Sequence, residues 1–536
     1  MKRFAYLLPF FAGLAACGDR SAAWDDAPAT TDLTVGLADR VVVIDDALHR
    51  ALAIAPQADG SARFTTTTVG HTVTAAVATA DRARLLVLAA GDQPRKTNKD
   101  EPPSLAILTA TGSQRFPLES PHSGVALDPE GRYAALYALP AAAGSTPNFV
   151  ENPNEIVIVD AAPGEAPRLV PHTLRSFGGR PQRLTFTAPL GLPGGTRRLL
   201  VVETDRDISL VDLASIHDPT PRADITIRLT SGSSATTAKP AGIAIDDGDP
   251  TVDDDARIGV RLDNDASVVL ITLSRGTNGE LQPTLNLAAV GGTPTDIAFV
   301  RAGAGSADPT KAGLRLAALV PGTRRAVLVD PATSITTDVS LPDAYSKLAL
   351  VTAEAGGGAG GDVALLYGGY TSASGGVAFL SLGKASGEPY RSVEVLSLGS
   401  AIGSVLAVPA PNANLKILSQ TNGAGFFVLD LAARTASPLQ TRSAASLLTA
   451  ADGSRLWAYQ ARTGNLSRIG LDDLHPVSVP LERPIDAAFD VARVGGGRTL
   501  IALDKSGLFA ATLVDADRPD ATQARTYPAI ALEGIQ

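Results

Sequence analysis

The segment from Asp246 to Asp265, DDGDPTVDDDARIGVRLDND, holds eight aspartates in twenty residues: Asp246, Asp247, Asp249, Asp253, Asp254, Asp255, Asp263 and Asp265. Hard cations such as Ca²⁺ take six to eight oxygen ligands, so a stretch this dense in carboxylates could supply a calcium site. Its spacing departs from an EF-hand loop, which needs a glycine at the sixth place and a closing Glu. The same residues also read as a solvated loop between two strands, a reading that needs no ion. Six histidines, His49, His71, His122, His172, His217 and His475, form no HxH or HxxxH pair, so local spacing offers no zinc centre. They read as surface or turn residues. No GxSxG elbow is present to carry a serine nucleophile. Gly356, Gly358 and Gly361 satisfy GxGxxG but run into the strand-like DVALLYGGY, where a dinucleotide site needs a helix.

Cys17, the one cysteine, carries chemistry of another kind. Lys2 and Arg3 are followed by an apolar stretch from Phe4 to Gly13, the layout of a secretory signal and too short for a membrane span. A lone cysteine has no intramolecular disulfide partner, and a free thiol is a liability in an oxidising compartment. Leu14-Ala15-Ala16-Cys17 resembles the lipobox of bacterial lipoproteins. That resemblance implies a diacylglyceryl group on the Cys17 sulfur and removal of residues 1–16. Each buried acyl methylene contributes about 0.8 kcal/mol to holding such an end on a membrane. Residues 17–32 then form a lipidated end and polar tether, and residues 33–536 the body. In this family an aspartate directly after the cysteine signals inner-membrane retention. Here Gly18 takes that place and Asp19 follows, which implies the outer membrane.

The formal net charge of −9 argues against a nucleic-acid partner, because phosphate binding calls for a basic face. The basic cluster Arg95-Lys96-Thr97-Asn98-Lys99 is flanked by Asp92, Asp100 and Glu101 and reads as a solvated loop. Charged residues make up 19%, below the roughly 25% usual for soluble domains. Ala, Val, Leu, Gly, Pro and Thr dominate instead, which favours short strands joined by turns.

A strongly apolar strand recurs, ending in a residue that can cap a turn. It ends at Asp45, Asp160, Asp212, Asp330, Asp430, Asp472 and Asp515, and in hydroxyl form at Thr109, Thr272 and Ser381. The mean spacing is about 52 residues. Asp, Thr and Ser side chains all accept from backbone amides just ahead, so each can end a strand in the same way. The unit around Asp430 reads SVLAVPAP, LKILSQT, GFFVLD, SPLQTR, and the unit around Asp160 follows the same order. Four short strands per period predict an all-β fold, a β-propeller of about 8–10 four-stranded blades. The first unit lacks an obvious opening strand, and the C-terminal TYPAIALEGIQ could supply it and close the ring. His71 and His122 precede opening strands of successive units, which would place them near one face.

The stretches ALDPEGRYAALY and TAADGSRLWAY, each followed by an apolar strand ending in Asp, resemble the surface-layer and lactonase-like (YVTN-type) propeller repeats. The resemblance implies the fold and little about activity. Three functions are compatible with it. The first is a non-catalytic platform for an envelope protein or polysaccharide, held to the membrane through its N-terminal lipid. The second is a metal-dependent, lactonase-like hydrolase. The third is an outer-membrane assembly factor, for which the two tryptophans, Trp24 and Trp457, fit poorly with that family's recurring tryptophan motifs.

Overall fold

The computed structural model describes residues 33–532 apart from 141–151, 163–164, 175–178, 220–221, 230–237, 248–251, 303–312, 352–362, 369–374, 383–391, 422, 424 and 442–444. Cys17, its lipobox, Asp249 and the GxGxxG match therefore lie outside the described residues.

Ten four-stranded antiparallel sheets follow one another along the chain. They span residues 34–68, 73–117, 124–173, 181–228, 240–289, 296–340, 347–397, 402–439, 445–478 and 487–528, and are numbered here as blades 1 to 10. Each is a simple meander in which consecutive strands pair. The chain is a ten-bladed β-propeller.

The second and third strands of each blade lie between two neighbouring blades, so both of their faces are buried. This is why they read as unbroken apolar runs rather than alternating ones. In Val41–Asp45, Val41 and Val43 pack towards blade 10 while Val42 and Ile44 pack towards blade 2. Each such side chain contributes about 1.5–3 kcal/mol by leaving water. Fourth strands are outermost and mostly exposed, as in Ser113–Pro117, SQRFP. The core divides into ten apolar clusters, one at each joint between blades.

The tenth cluster closes the ring. Val41, Leu52 and Ile54 of blade 1 pack with Val491, Ile501 and Leu513 of blade 10. The Ala492 amide donates to the Ala38 carbonyl at 2.8 Å. The ends of the chain are thus joined, but by a different device from the one the sequence suggested. Thr34–Gly36 is the opening strand of blade 1, and Arg525–Pro528 completes blade 10. The C-terminal segment crosses the joint without adding a strand to blade 1, the Tyr527 hydroxyl accepting from the Ala62 amide at 3.0 Å and the Ala531 carbonyl from the Arg50 guanidinium. Asp45 also shifts register. It ends the second strand of its blade, whereas the other nine marker positions lie in third strands, end them or follow within two residues. The opening strand was hidden because it has only three residues, TVG, all half-buried.

The caps behave as their side chains require. Asp330 accepts from the amides of Ala332 and Thr333, Asp430 from Ala432 and Ala433, and Asp515 from Asp517 and Arg518. Gly453, in the turn opening blade 9, has φ +63°, and a Cβ there would meet the Pro409 carbonyl at 2.3 Å. Only glycine fits both conditions.

Blade 4 departs from the plan. Its first and second strands are separated by a hairpin, Leu190–Leu192 paired with Gly195–Arg197. Leu190 and Leu192 are buried in the joint with blade 5.

Candidate functional site

In a ring of antiparallel meanders, connections alternate between the two ends of the blades. Turns between second and third strands share one face with the linkers from blade to blade, here the linker face. Turns between first and second and between third and fourth strands share the other, the turn face.

His71 lies in the linker from blade 1 to blade 2, and Asp92 and Glu101 stand near the two ends of the loop joining the second and third strands of blade 2. Its Nδ1 is 2.8 Å from Asp92 Oδ1 and its Nε2 is 2.8 Å from Glu101 Oε2. Both ring nitrogens of His71 are thus held between carboxylate oxygens of the two loop ends. The ring of His49 stacks on it at 3.7 Å between centroids, and His49 Nδ1 is buried without a hydrogen-bond partner. Arg115 pairs with Glu101 on the far side. From this clamped base, the loop residues Arg95, Lys96 and Lys99 extend into solvent. Asp100 shapes the loop by accepting from the Lys96 and Thr97 amides, both at 2.6 Å.

Sequence reasoning missed this cluster because its members, at positions 49, 71, 92 and 101, share no local spacing. The usable signal was the shared placement of linker and inter-strand loops once blades are assigned. Among the described residues no group of three or more His, Cys, Asp or Glu is arranged to hold a metal ion.

His122, in the linker to blade 3, does share the linker face with His71, but it is fully buried rather than a surface residue. Neither ring nitrogen has a hydrogen-bond partner, and Glu155 Oε1 is 3.9 Å from Nε2. Burial alone pushes its pKa down to about 4, so the ring is neutral at pH 7. Glu203, at the linker end of blade 4, is buried with Oε1 unpartnered. Burial pushes its carboxyl up, against the opposing pull of Arg183 and Arg261. Arg183 lies 4.0 Å away.

The turn face is laced by ion pairs. Arg132 donates twice to Asp160, at 3.1 Å each, and His217 of blade 4 reaches the same carboxylate at 3.0 Å. Arg198 of blade 4 pairs with Asp128 of blade 3 and with Glu130 at 2.9 Å. Burial raises the Asp128 carboxyl, but the Arg198 guanidinium and the Glu130 and Tyr133 amides outweigh it and hold it below the usual range. Three arginines at the start of second strands repeat one bond. Arg40, Arg84 and Arg455 each donate to a carbonyl beside the third-strand end of the next blade, at Thr109, Ala161 and Ala516. Of the two arginines in the repeat text, Arg455 thus clamps two blades together, whereas Arg132 ties the end of its own blade. Of the remaining histidines, His172 binds Asp224 at 2.8 Å and His475 lies exposed in a turn.

The aspartate segment is divided between the faces. Asp246, Asp247 and Asp253 to Asp255 flank the first turn of blade 5, on the turn face. Asp263 and Asp265 lie beyond the seven-residue strand Ala256–Leu262, on the linker face. Asp246 faces Arg301 at 3.4 Å, Asp253 pairs with Arg275, and Asp247 accepts from the Gly191 amide at 2.6 Å. A cation bound by this segment would draw on the turn-face group and leave Asp263 and Asp265 aside. Trp457 is wholly buried in the joint between blades 9 and 10, with its Nε1 donating to Asp490 at 2.9 Å.

No protein-family model and no curated protein matches the sequence. Among solved structures, similar chains include the dihydro-heme d1 dehydrogenase NirN in complex with DHE, at 11% identity and TM-score 0.39, covering 77% of this chain and 75% of that one. A eukaryotic initiation factor matches at 10% identity and TM-score 0.48, covering 82% and 95%. Apo AztD from Citrobacter koseri matches at 11% identity and TM-score 0.36, covering 75% and 96%. At such identities and scores these likenesses carry no argument about activity, and the propeller assignment rests on the chain's own blade topology.

Proposed function

We propose that the protein is a lipid-anchored platform of the bacterial cell envelope, held through Cys17 in the outer membrane, and that its linker face binds an envelope protein or polysaccharide. The observation that carries the choice of face is the wholly buried His122 of the linker to blade 3, neither of whose ring nitrogens has a hydrogen-bond partner. His49 Nδ1 and Glu203 Oε1 are also buried without hydrogen-bond partners. Buried polar groups are normally paired, and an orphan calls for an explanation such as a missing partner. The clamped loop bearing Arg95, Lys96 and Lys99 adds projecting, solvated donors beside them. The opening strand Thr34–Gly36 starts from this same face, so the tether would join the body on its binding side.

A photo-crosslinking residue at Lys99, compared in intact cells with one at Ala332 on the turn face, tests the reading. Capture of one defined envelope component from Lys99 alone is expected. Equal capture from both positions, or none from Lys99, would overturn the choice of face. The anchor has its own test: Cys17→Ser should abolish lipid labelling and release the protein from membranes. A Cys17→Ser protein that stays in the membrane fraction refutes the anchor without touching the face.

A further inference from the structure

The hairpin inserted in blade 4 lines a cavity through Pro193, Gly194 and Arg197. Between the hairpin and the turn joining the third and fourth strands of blade 5 lies a space of about 470 Å³. Its floor is apolar, with Leu199 and Leu210 buried and Ile225 and Leu281 half-buried. At one side Arg197 and Arg222 both donate to a single oxygen, Asp212 Oδ2, Arg197 at 2.5 Å. Asp212 Oδ1 is taken by the Ala214 amide at 3.0 Å. Arg197 gives its other terminal nitrogen to the Pro193 carbonyl at 2.6 Å. Its side chain is only 10% exposed, yet its Nε, in a residue lining the cavity, has no hydrogen-bond partner. Glu280 also lines the space but folds back on its own turn. Its Oε2 accepts from the Asn278 amide at 3.0 Å, and its Oε1 lies against Gly276.

Two guanidinium groups therefore share one carboxylate oxygen beside an apolar floor. We propose that this cavity binds an amphiphilic monoanion, a carboxylate carried on a hydrocarbon body. The anion sits against the unpartnered Arg197 Nε and the exposed Arg222 guanidinium, and the hydrocarbon covers Ile225 and Leu281. The volume falls within the 300–1,000 Å³ typical of small-molecule sites. The proposal does not depend on the linker-face reading, because the cavity opens on the turn face.

Calorimetric titration of the intact protein with decanoate, decanol and acetate tests it. Decanoate is expected to bind, decanol to bind at least about tenfold more weakly, and acetate to give no measurable heat. Arg222 is 55% exposed, so Arg222→Ala spares the core and should weaken decanoate about tenfold. Decanoate that fails to bind, decanol that binds as tightly, or an Arg222→Ala protein with unchanged affinity would each overturn the assignment.

Discussion

On the turn face Arg198 meets Asp128, Arg132 meets Asp160 and Arg455 reaches the carbonyl of Ala516, so charge ties each blade to itself or to its neighbour. On the linker face His122 is buried with two orphaned nitrogens, and Arg95, Lys96 and Lys99 point away from the body. Both faces come from the same repeating meander. They differ because several turn-face connections repeat an Asp or an Arg at the same strand ends. On the linker face no such pair of positions recurs among the residues named above. A repeated turn lets one ion pair be copied from joint to joint, while a variable loop is free to carry groups the ring does not need for itself.

Four measurements would break or sharpen this contrast. The largest effect belongs to Asp490, whose buried carboxylate takes the Trp457 Nε1 and the Arg498 guanidinium and lies 3.6 Å from Arg455 Nε. Asp490→Ala should cost about 3–5 kcal/mol, because the largely buried Arg498 loses its carboxylate and the buried Trp457 Nε1 its acceptor, while Arg455 keeps Asp452 and Asp517. A urea midpoint close to wild type would show that the turn-side network is dispensable.

The second measurement separates the faces by acid titration. Unfolded His122 takes up a proton near pH 6.5, but the folded residue resists until about pH 4. The unfolded state binds more protons between these values, so stability should decline as pH falls from about 6.5 to 4, by on the order of 2–3 kcal/mol. His122→Phe should flatten that slope, and a slope left intact would assign it elsewhere.

Third comes Asp128, whose depressed pKa gives the opposite face its own window. Its contribution is fully present above about pH 4 and is lost as pH falls further through the folded value. Asp128→Asn should cost about 1.5–3 kcal/mol at neutral pH through the weakened bond to Arg198. Much of that deficit relative to wild type should disappear in acid. The smallest effect is expected at Lys99, where replacement by Ala should change stability by less than about 0.5 kcal/mol while reducing partner capture.

The ring was legible in the sequence wherever burial repeats. Strands such as EIVIVD and FFVLD carry apolar residues on both faces because a blade covers each side, and their capping aspartates mark the period. Thr34–Gly36 was not legible, since a strand of three residues shows no periodicity. The hairpin after Phe186 was also missed, its strands being only three residues each and split by Pro193 and Gly194. The His49–His71 stack escaped for another reason. Contacts between a linker and the turns beside it depend on how blades abut, which no short-range pattern encodes.

The joint between blades 10 and 1 bears on how the molecule responds to force. Every other pair of neighbouring blades is held by a peptide linker as well as by packing, whereas these two are held by side chains and a few hydrogen bonds. A pull applied at Leu33 reaches first the short strand Thr34–Gly36, paired only with Val41 to Val43. That strand would act as a mechanical fuse. It would peel residue by residue at low load, before tension reached the five-residue core strand behind it.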